Sequence, residues 1–226
     1  MDFPNLPPDE IFNGTTLSDT YHMFPGTGHD LIIEHDGTIT AGITDTLLLG
    51  SGLTASTISV IGVNEGFGQY GLLISDIATG DSIELINQIT GGQPQVEQMK
   101  FGATTIDLTI GIDMHGKAAT NEDFYGSLLG DTYHLDAGIG HDRVIERGTG
   151  GGITDTLLIG AGLTAADIAI TTVNEGFGHS GLKYTIIATG DSIELYDQLT
   201  PGAPVVEDII IIPPPAAPST EPQVPI

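Results

Sequence analysis

Apolar residues in this chain come in short runs, and glycine closes many of them. Thr46-Leu47-Leu48-Leu49 is bounded by Gly50 and Gly52 and reads as a buried strand. Leu72-Leu73-Ile74 and Ser82-Ile83-Glu84-Leu85-Ile86 flank Thr79-Gly80-Asp81, which predicts a hairpin. Thr54-Ala55-Ser56-Thr57-Ile58 and Thr164-Ala165-Ala166-Asp167-Ile168 each open on a capping residue and predict a single helical turn. No segment carries a long amphipathic helical period. With 32 glycines and 13 prolines, the chain suits many short strands joined by turns. The expected fold class is all-β.

The same patterns occur twice. Asp19-Thr20-Tyr21-His22 recurs as Asp131-Thr132-Tyr133-His134, and Gly28-His29-Asp30 as Gly140-His141-Asp142. Ile43 through Leu48 recurs as Ile153 through Leu158, Val63 through Gly68 as Val173 through Gly178, and Ala78 through Leu85 as Ala188 through Leu195. The offset is 112 residues from Asp19 to Asp131 and 110 from Asp45 to Asp155, so the second copy is shorter in the loop before Ile153. Repeat one is placed at 1–112 and repeat two at 113–212, each the size of a small domain. Residues 213–226 are proline-rich and read as a linker or disordered tail. In-register repeats predict modules that fold alone, with few contacts across Gly111-Ile112-Asp113-Met114.

Charge narrows the function classes. Five Lys and Arg against 30 Asp and Glu give a net charge of -25. That opposes a nucleic-acid backbone and an anionic membrane surface. It also makes a compact fold repel itself, and a hard divalent cation is the natural counter-charge. The absence of cysteine excludes disulfides, thiolate metal sites and a Cys nucleophile. Met1-Asp2-Phe3-Pro4 lacks the basic and apolar regions of a signal peptide, and no apolar run is long enough to span a bilayer.

Candidate chemistry lies in rows of glycine and aspartate. Gly126-Ser127-Leu128-Leu129-Gly130-Asp131-Thr132-Tyr133 and Gly138-Ile139-Gly140-His141-Asp142-Arg143-Val144 resemble the haemolysin-type calcium-binding (RTX) repeat, a row of the form G-G-x-G-x-D-x-U-x with U a large apolar residue. Three rows per repeat follow. Their acidic positions are Glu10, Asp19 and Asp30, then Glu122, Asp131 and Asp142. Their apolar positions are Phe12, Tyr21 and Ile32, then Phe124, Tyr133 and Val144. The row Asn5-Leu6-Pro7-Pro8 and the row Lys117-Ala118-Ala119-Thr120 have no glycine, and Asp131 to Asp142 spans 11 residues where the motif has nine. Asp-Thr-Leu-Leu-Leu-Gly, then Gly-Asp-Ser-Ile-Glu-Leu, then Val96 through Phe101 is similar to the haemolysin-type calcium-binding-related domain.

The resemblance implies a short parallel β-roll edge with an antiparallel capping region in each repeat. It implies Ca2+ held by Glu10, Asp19, Asp30, Glu122, Asp131 and Asp142. Ions are implied between rows on one edge, so that Glu10 faces Asp30, Glu122 faces Asp142, and Asp19 and Asp131 stand alone on the other edge. It further implies an extracellular or cell-surface bacterial protein exported by type I secretion, with this chain one part of a larger one, such as an adhesin or RTX exoprotein.

Plainer readings stand beside these. Asp and Gly favour turns without any metal. Asp81 and Asp191 read as hairpin residues, and His29 and His141 as turn residues. Glu65 and Glu175, in Asn-Glu-Gly-Phe-Gly, read as structural loop carboxylates because an enzyme rarely needs two copies of one active site. That loop, with Tyr70 and His179 beyond it, is the candidate contact for a glycan or cell-surface partner. No nucleophile elbow, P-loop, His-Glu-x-x-His or dinucleotide fingerprint occurs, so the chain reads as non-catalytic or as an accessory β-roll of a secreted hydrolase.

Overall fold

The computed structural model describes residues 10–35, 42–91, 96–148, 153–160 and 162–212. The row at Asn5–Pro8 and the proline-rich segment 213–226 lie outside them. The fold is all-β. Repeat one carries β1 (Ile11–Asn13), β2 (Thr20–Met23), β3 (His29–Ile33), β4 (Thr46–Leu49), β5 (Ile58–Gly66), β6 (Gln69–Asp76), β7 (Ser82–Leu85), β8 (Gln98–Phe101) and β9 (Thr104–Asp107). Repeat two carries β10 (Asp113–Met114), β11 (Asp123–Tyr125), β12 (Thr132–Leu135), β13 (His141–Ile145), β14 (Thr156–Ile159), β15 (Ile168–Gly176), β16 (His179–Ile186), β17 (Ser192–Leu195) and β18 (Asp208–Ile211). Of the two predicted helical turns, Thr164–Ile168 holds a single 3-10 turn at Ala165–Asp167, closed where the Thr164 N–H and hydroxyl donate to Asp167 Oδ2 at 2.8 and 2.6 Å, while Thr54–Ile58 forms a turn but no helix. Among the described residues no helix is long and apolar enough to cross a membrane.

Each repeat folds into two sheets, and its opening strands alternate between them. In repeat one the orders are β1-β3-β7-β6-β5 and β2-β4-β8-β9. In repeat two they are β11-β13-β17-β16-β15 and β10-β12-β14-β18. The row strands pair in parallel, so each row lies beside the row two further on: Phe12 beside Ile32, Tyr21 beside Leu47, Phe124 beside Val144 and Tyr133 beside Leu157. The predicted apolar positions are buried, Phe12 only partly. Phe124 and Tyr133, from opposite sheets, have ring centroids 6.4 Å apart. The strands are short because the rows end in sharp turns, made by glycines in the rows of Asp30 and Asp142 and by Ala119 at φ 58° in the glycine-free row of Glu122. Gly28 and Gly140 take φ of 87° and 97°, which L side chains rarely adopt.

Two antiparallel hairpins extend the parallel stacks. β6 pairs with β7 as predicted, from Leu72 beside Leu85 to Ser75 beside Ser82. The segment read as an Asn-Glu-Gly-Phe-Gly loop is instead the end of a long hairpin, β5 with β6 and β15 with β16. Strand pairing continues to Gly66–Gln69 and Gly176–His179, and a bulge at the glutamate lets the strands turn in two residues.

The repeats are not separated by a contact-poor junction. The β5 edge of repeat one packs on the first strands of repeat two. Val60 and His115 exchange two backbone hydrogen bonds of 3.0 Å. Arg147 lies over the Tyr70 ring at 3.4 Å and donates to Ile89 O at 3.1 Å, while Tyr70 and Tyr125 are 5.6 Å apart by ring centroid. A Cβ at Gly62 would come within 1.9 Å of Tyr125 O, so glycine permits this approach. One apolar core runs through both repeats. The sequence expectation failed because the residues forming the junction depart from the repeat: Tyr70, Tyr125 and Arg147 stand where the other copy has Ser180, Asn13 and His35.

Candidate metal centre

Most parallel strands open after their turn on an acid, one residue and then an apolar residue: Asp19-Thr20-Tyr21, Asp45-Thr46-Leu47, Glu97-Gln98-Met99, and so on through Asp155-Thr156-Leu157 and Glu207-Asp208-Ile209; β10 instead has Ile112 at the acidic position. Parallel stacking aligns these acids into columns. A carboxylate with a described row upstream on its edge then accepts a backbone N–H from that row. On one edge of repeat two the Ile112 N–H donates to Asp131 at 2.8 Å, the Asp131 N–H to Asp155 at 2.7 Å and the Asp155 N–H to Glu207 at 2.8 Å. Repeat one has the same ladder, with the Asp19 N–H on Asp45 at 2.7 Å and the Asp45 N–H on Glu97 at 2.6 Å. On the opposite edge the Glu10 N–H reaches Asp30 at 3.2 Å and the Glu122 N–H reaches Asp142 at 3.0 Å. Asp81 and Asp191 end those columns. Asp81 accepts from Gly26 and Gly28 at 2.6 and 2.9 Å, and Asp191 from Gly138 and Gly140 at 2.7 and 3.0 Å. They are therefore turn clamps as well as hairpin residues.

The first edge also gathers a third acid. Asp19, Glu34 and Asp45 form one trio, and Asp131, Glu146 and Asp155 form its counterpart, with ligand oxygens of each trio within 4.8 Å of one another. Oxygens around a single calcium ion lie up to about 5 Å apart at its ordinary bond lengths, so three convergent carboxylates at this spacing can hold a hard cation. The donor set is oxygen alone, which suits such a cation over zinc or copper. A tyrosine at the apolar row position orders each trio: the Tyr21 hydroxyl donates to Glu34 and the Tyr133 hydroxyl to Glu146.

The second trio is wholly buried, and its electrostatics follow. Burial pushes Asp131 up to about 6 against the N–H groups of Ser127 and Ile112 that favour its ionised form. Burial also raises Glu146, helped by the charges of Asp155 and Asp131, and raises Asp155, helped by the charges of Asp131 and Glu207. Burial, reinforced by the charges of Glu122, Asp191 and Asp123, pushes Asp142 up to about 7. Asp142 Oδ2 is buried with no hydrogen-bond partner among the described residues. Two buried acidic clusters thus strain against their own charge, and protons or a cation must answer it.

Glu10 and Asp30, and Glu122 and Asp142, do come together as neighbouring rows, but each pair meets through a backbone N–H accepted by the aspartate. Asp19 and Asp131 are not alone on their edge, which corrects the sequence expectation. The row count had stopped where the glycines stop, yet the parallel stack continues through β4, β8, β14 and β18. Asp45, Glu97, Asp155 and Glu207 were missed for that reason, although the acid-x-apolar triplet marks all four. Glu34 and Glu146 carry no such signal, since they follow the strands β3 and β13 and reach the trio only through the roll of the chain.

The remaining candidates make hydrogen bonds within the fold. His29 and His141 pair through Nδ1 with Ser82 and Ser192 hydroxyls at 2.6 and 2.9 Å. Glu65 turns inward to accept the Asn87 N–H at 2.9 Å, and Glu175 accepts the Asp197 N–H at 3.1 Å. Comparison with known proteins adds no relative: no family model matches the chain, and no curated protein matches it.

Proposed function

We propose that this chain is a non-catalytic, calcium-responsive structural module of a larger secreted bacterial protein of the RTX or adhesin type, acting at the cell surface or outside the cell. The observation that carries the reading is the duplication of a buried acidic trio, Asp19-Glu34-Asp45 and Asp131-Glu146-Asp155, in a chain of net charge -25. Two copies of a costly arrangement argue for a shared role, and an oxygen-only donor set suits a hard cation. Calcium supplies positive charge that the carboxylates lack from the protein itself. At low calcium, mutual repulsion opposes closure of the rows. At high calcium, binding free energy becomes folding free energy. Asp142, with its unpartnered buried oxygen, supports a further calcium contact on the opposite edge.

Titration with calcium, followed by circular dichroism and thermal melting with magnesium as control, tests this. A hundredfold excess of ion over its dissociation constant is worth about 2.7 kcal/mol per site, or a rise of roughly 5–10 °C for a chain of this size. Magnesium should give less, because it demands a tighter octahedron. Identical melting in calcium and in chelator removes calcium from the account.

The trio also sets which carboxylate matters most in repeat two. On sequence alone Asp142 outranks Asp131. With Asp131 between Glu146 and Asp155, Asp131→Ala is expected to weaken calcium affinity at least as much as Asp142→Ala, since each removes one hard ligand and one charge from its site. Isothermal titration calorimetry on the full chain decides the order. Affinity untouched by Asp131→Ala and lost in Asp142→Ala would place the ion on the other edge.

A further inference from the structure

The two long hairpins end in a feature that the calcium reading leaves unused. Phe67 and Phe177 occupy the first position of the two-residue turns, and their exposures are 106% and 105%, as complete as a side chain can have. A lone exposed apolar residue needs no explanation. These two differ in what the backbone gives up for them. Phe67 has φ of 54° and Phe177 of 51°, followed by Gly68 and Gly178 at 80° and 91°. That is the mirror-image turn of tight hairpins, for which asparagine or glycine is favoured at the first position. A bulky residue held in that left-handed region is strained, and no packing compensates here. The same choice is made in both copies, although residues just beyond it differ: Gln69-Tyr70 in one and His179-Ser180 in the other.

The tips are rigid and stripped of charge. Asn64 Oδ1 accepts the Gly66 N–H at 2.8 Å, and Asn174 Oδ1 accepts the Gly176 N–H at 2.9 Å, which fixes the turn. The one carboxylate of each loop, Glu65 or Glu175, is withdrawn onto a backbone N–H. In a chain of net charge -25 this leaves two neutral knobs, each a single ring on glycines and amides. No charged group lies within the turn, and neither ring touches an aromatic partner among the described residues.

We propose that the chain docks on electrically neutral lipid bilayers by inserting Phe67 and Phe177. A sugar needs polar groups converging beside the ring, and a protein cleft asks for a shaped surround. A bare ring on an uncharged turn asks only for an apolar medium, and rigid presentation removes the ordering cost of insertion. The net charge sets the lipid preference: phosphatidylcholine over anionic lipid, the reverse of basic peripheral proteins.

Sedimentation of the full chain with phosphatidylcholine vesicles, under conditions where circular dichroism shows it folded, tests the proposal. Wild type should co-sediment. Phe67→Asn or Phe177→Asn should each lower partitioning on the order of tenfold to a hundredfold, the value of one buried aromatic ring, and the double variant should stay in solution. Asparagine suits the turn, so melting of the variants should be unchanged or higher, which separates loss of the knob from loss of the fold. Replacing part of the phosphatidylcholine with phosphatidylglycerol should weaken binding in chelator. The proposal is overturned if wild type does not sediment at millimolar lipid, if the double variant sediments equally, or if binding requires anionic lipid with calcium, which would be ion bridging. Retention of wild type on a glycan array without retention on vesicles also overturns it.

Discussion

In chelator, the melting temperature of this protein is expected to fall as pH rises from about 4 to about 8, and calcium is expected to abolish the fall. The ordinary acidic protein behaves the other way. The difference lies in the direction of the shifts. Asp131 and Asp142 have folded-state values raised from 3.8 to about 6 and about 7, chiefly by burial; Glu146 is raised by burial and by the charges of Asp155 and Asp131, and Asp155 by burial and by the charges of Asp131 and Glu207. Between the unfolded and folded values the native state holds more protons than the unfolded one, so stability declines with pH. The contribution is whole below about pH 4 and gone once these groups ionise. His134, raised by the hydrogen bond that its ring N–H donates to the Asp113 carboxylate, adds a loss of the same sign at higher pH. At about 1.4 kcal/mol per unit, Asp131 and Asp142 alone make this on the order of 7 kcal/mol, or roughly 15–30 °C. Below about pH 4 a second window opens with the opposite slope. There Asp81 and Asp191 take up protons and release their glycine clamps, since hydrogen bonds from Thr79, Gly26 and Gly28, and from Thr189, Gly138 and Gly140, hold them below the usual range. Melting curves at half-unit steps with and without calcium check the whole profile. A melting temperature that climbs steadily from pH 4 to 8 in chelator would show that the trio is not buried as described. Asp131→Asn should flatten the slope.

Gly62→Val is expected to part the two repeats. Its Cβ alone would lie 1.9 Å from Tyr125 O, and backbone on both sides leaves little room to yield. Moving β5 off β11 exposes Val60, Ile61 and Ile89, which are buried at the junction, and breaks the stacking of Arg147 on Tyr70. Three apolar side chains at roughly 1.5–3 kcal/mol each, together with a cation–π contact of about 1–2 kcal/mol, place the loss at several kcal/mol. Scanning calorimetry should show one cooperative transition in wild type and an earlier or split transition in the variant. Thr172→Val, at the matching position of β15, is the control. Among the described residues nothing packs on that strand as β11 packs on β5, and its Ile170 is 59% exposed where Val60 is 2%. Its effect should stay within about 0.5 kcal/mol. Equal behaviour of the two variants would remove the junction as a source of stability.

Much of this architecture was legible in the chain, because a repeat states its periodic elements twice. Thr46–Leu49 and the hairpin around Thr79-Gly80-Asp81 occur where glycine punctuation put them. The row acids and their apolar partners stack in the expected register. What escaped the reading has two physical causes. Contacts made once per chain, such as Arg147 on Tyr70, have no periodic signal, and their residues look like drift between copies. The acidic trios unite rows that lie on one edge with a carboxylate from beyond the next strand, so the chain must be rolled up before Glu146 is seen beside Asp131 and Asp155. The Asn-Glu-Gly-Phe-Gly segment misled for a third reason. Its glycines mark a turn, but the bulge hides how far strand pairing runs into it.

The carboxylate ladders have a polarity along the chain. Ile112, Asp131 and Asp155 are capped by Asp131, Asp155 and Glu207, and Gly28 by Asp81, so each acceptor lies downstream of the N–H it satisfies. Damage is therefore unequal at the two ends. Trimming the leading end removes donors and leaves carboxylates that water can solvate. Trimming back past Glu207 strands the Asp155 N–H in the core edge, and the deficit passes row by row toward the start. A nick near the trailing end should unravel the second repeat from behind, as a ratchet slips when its last pawl is lifted.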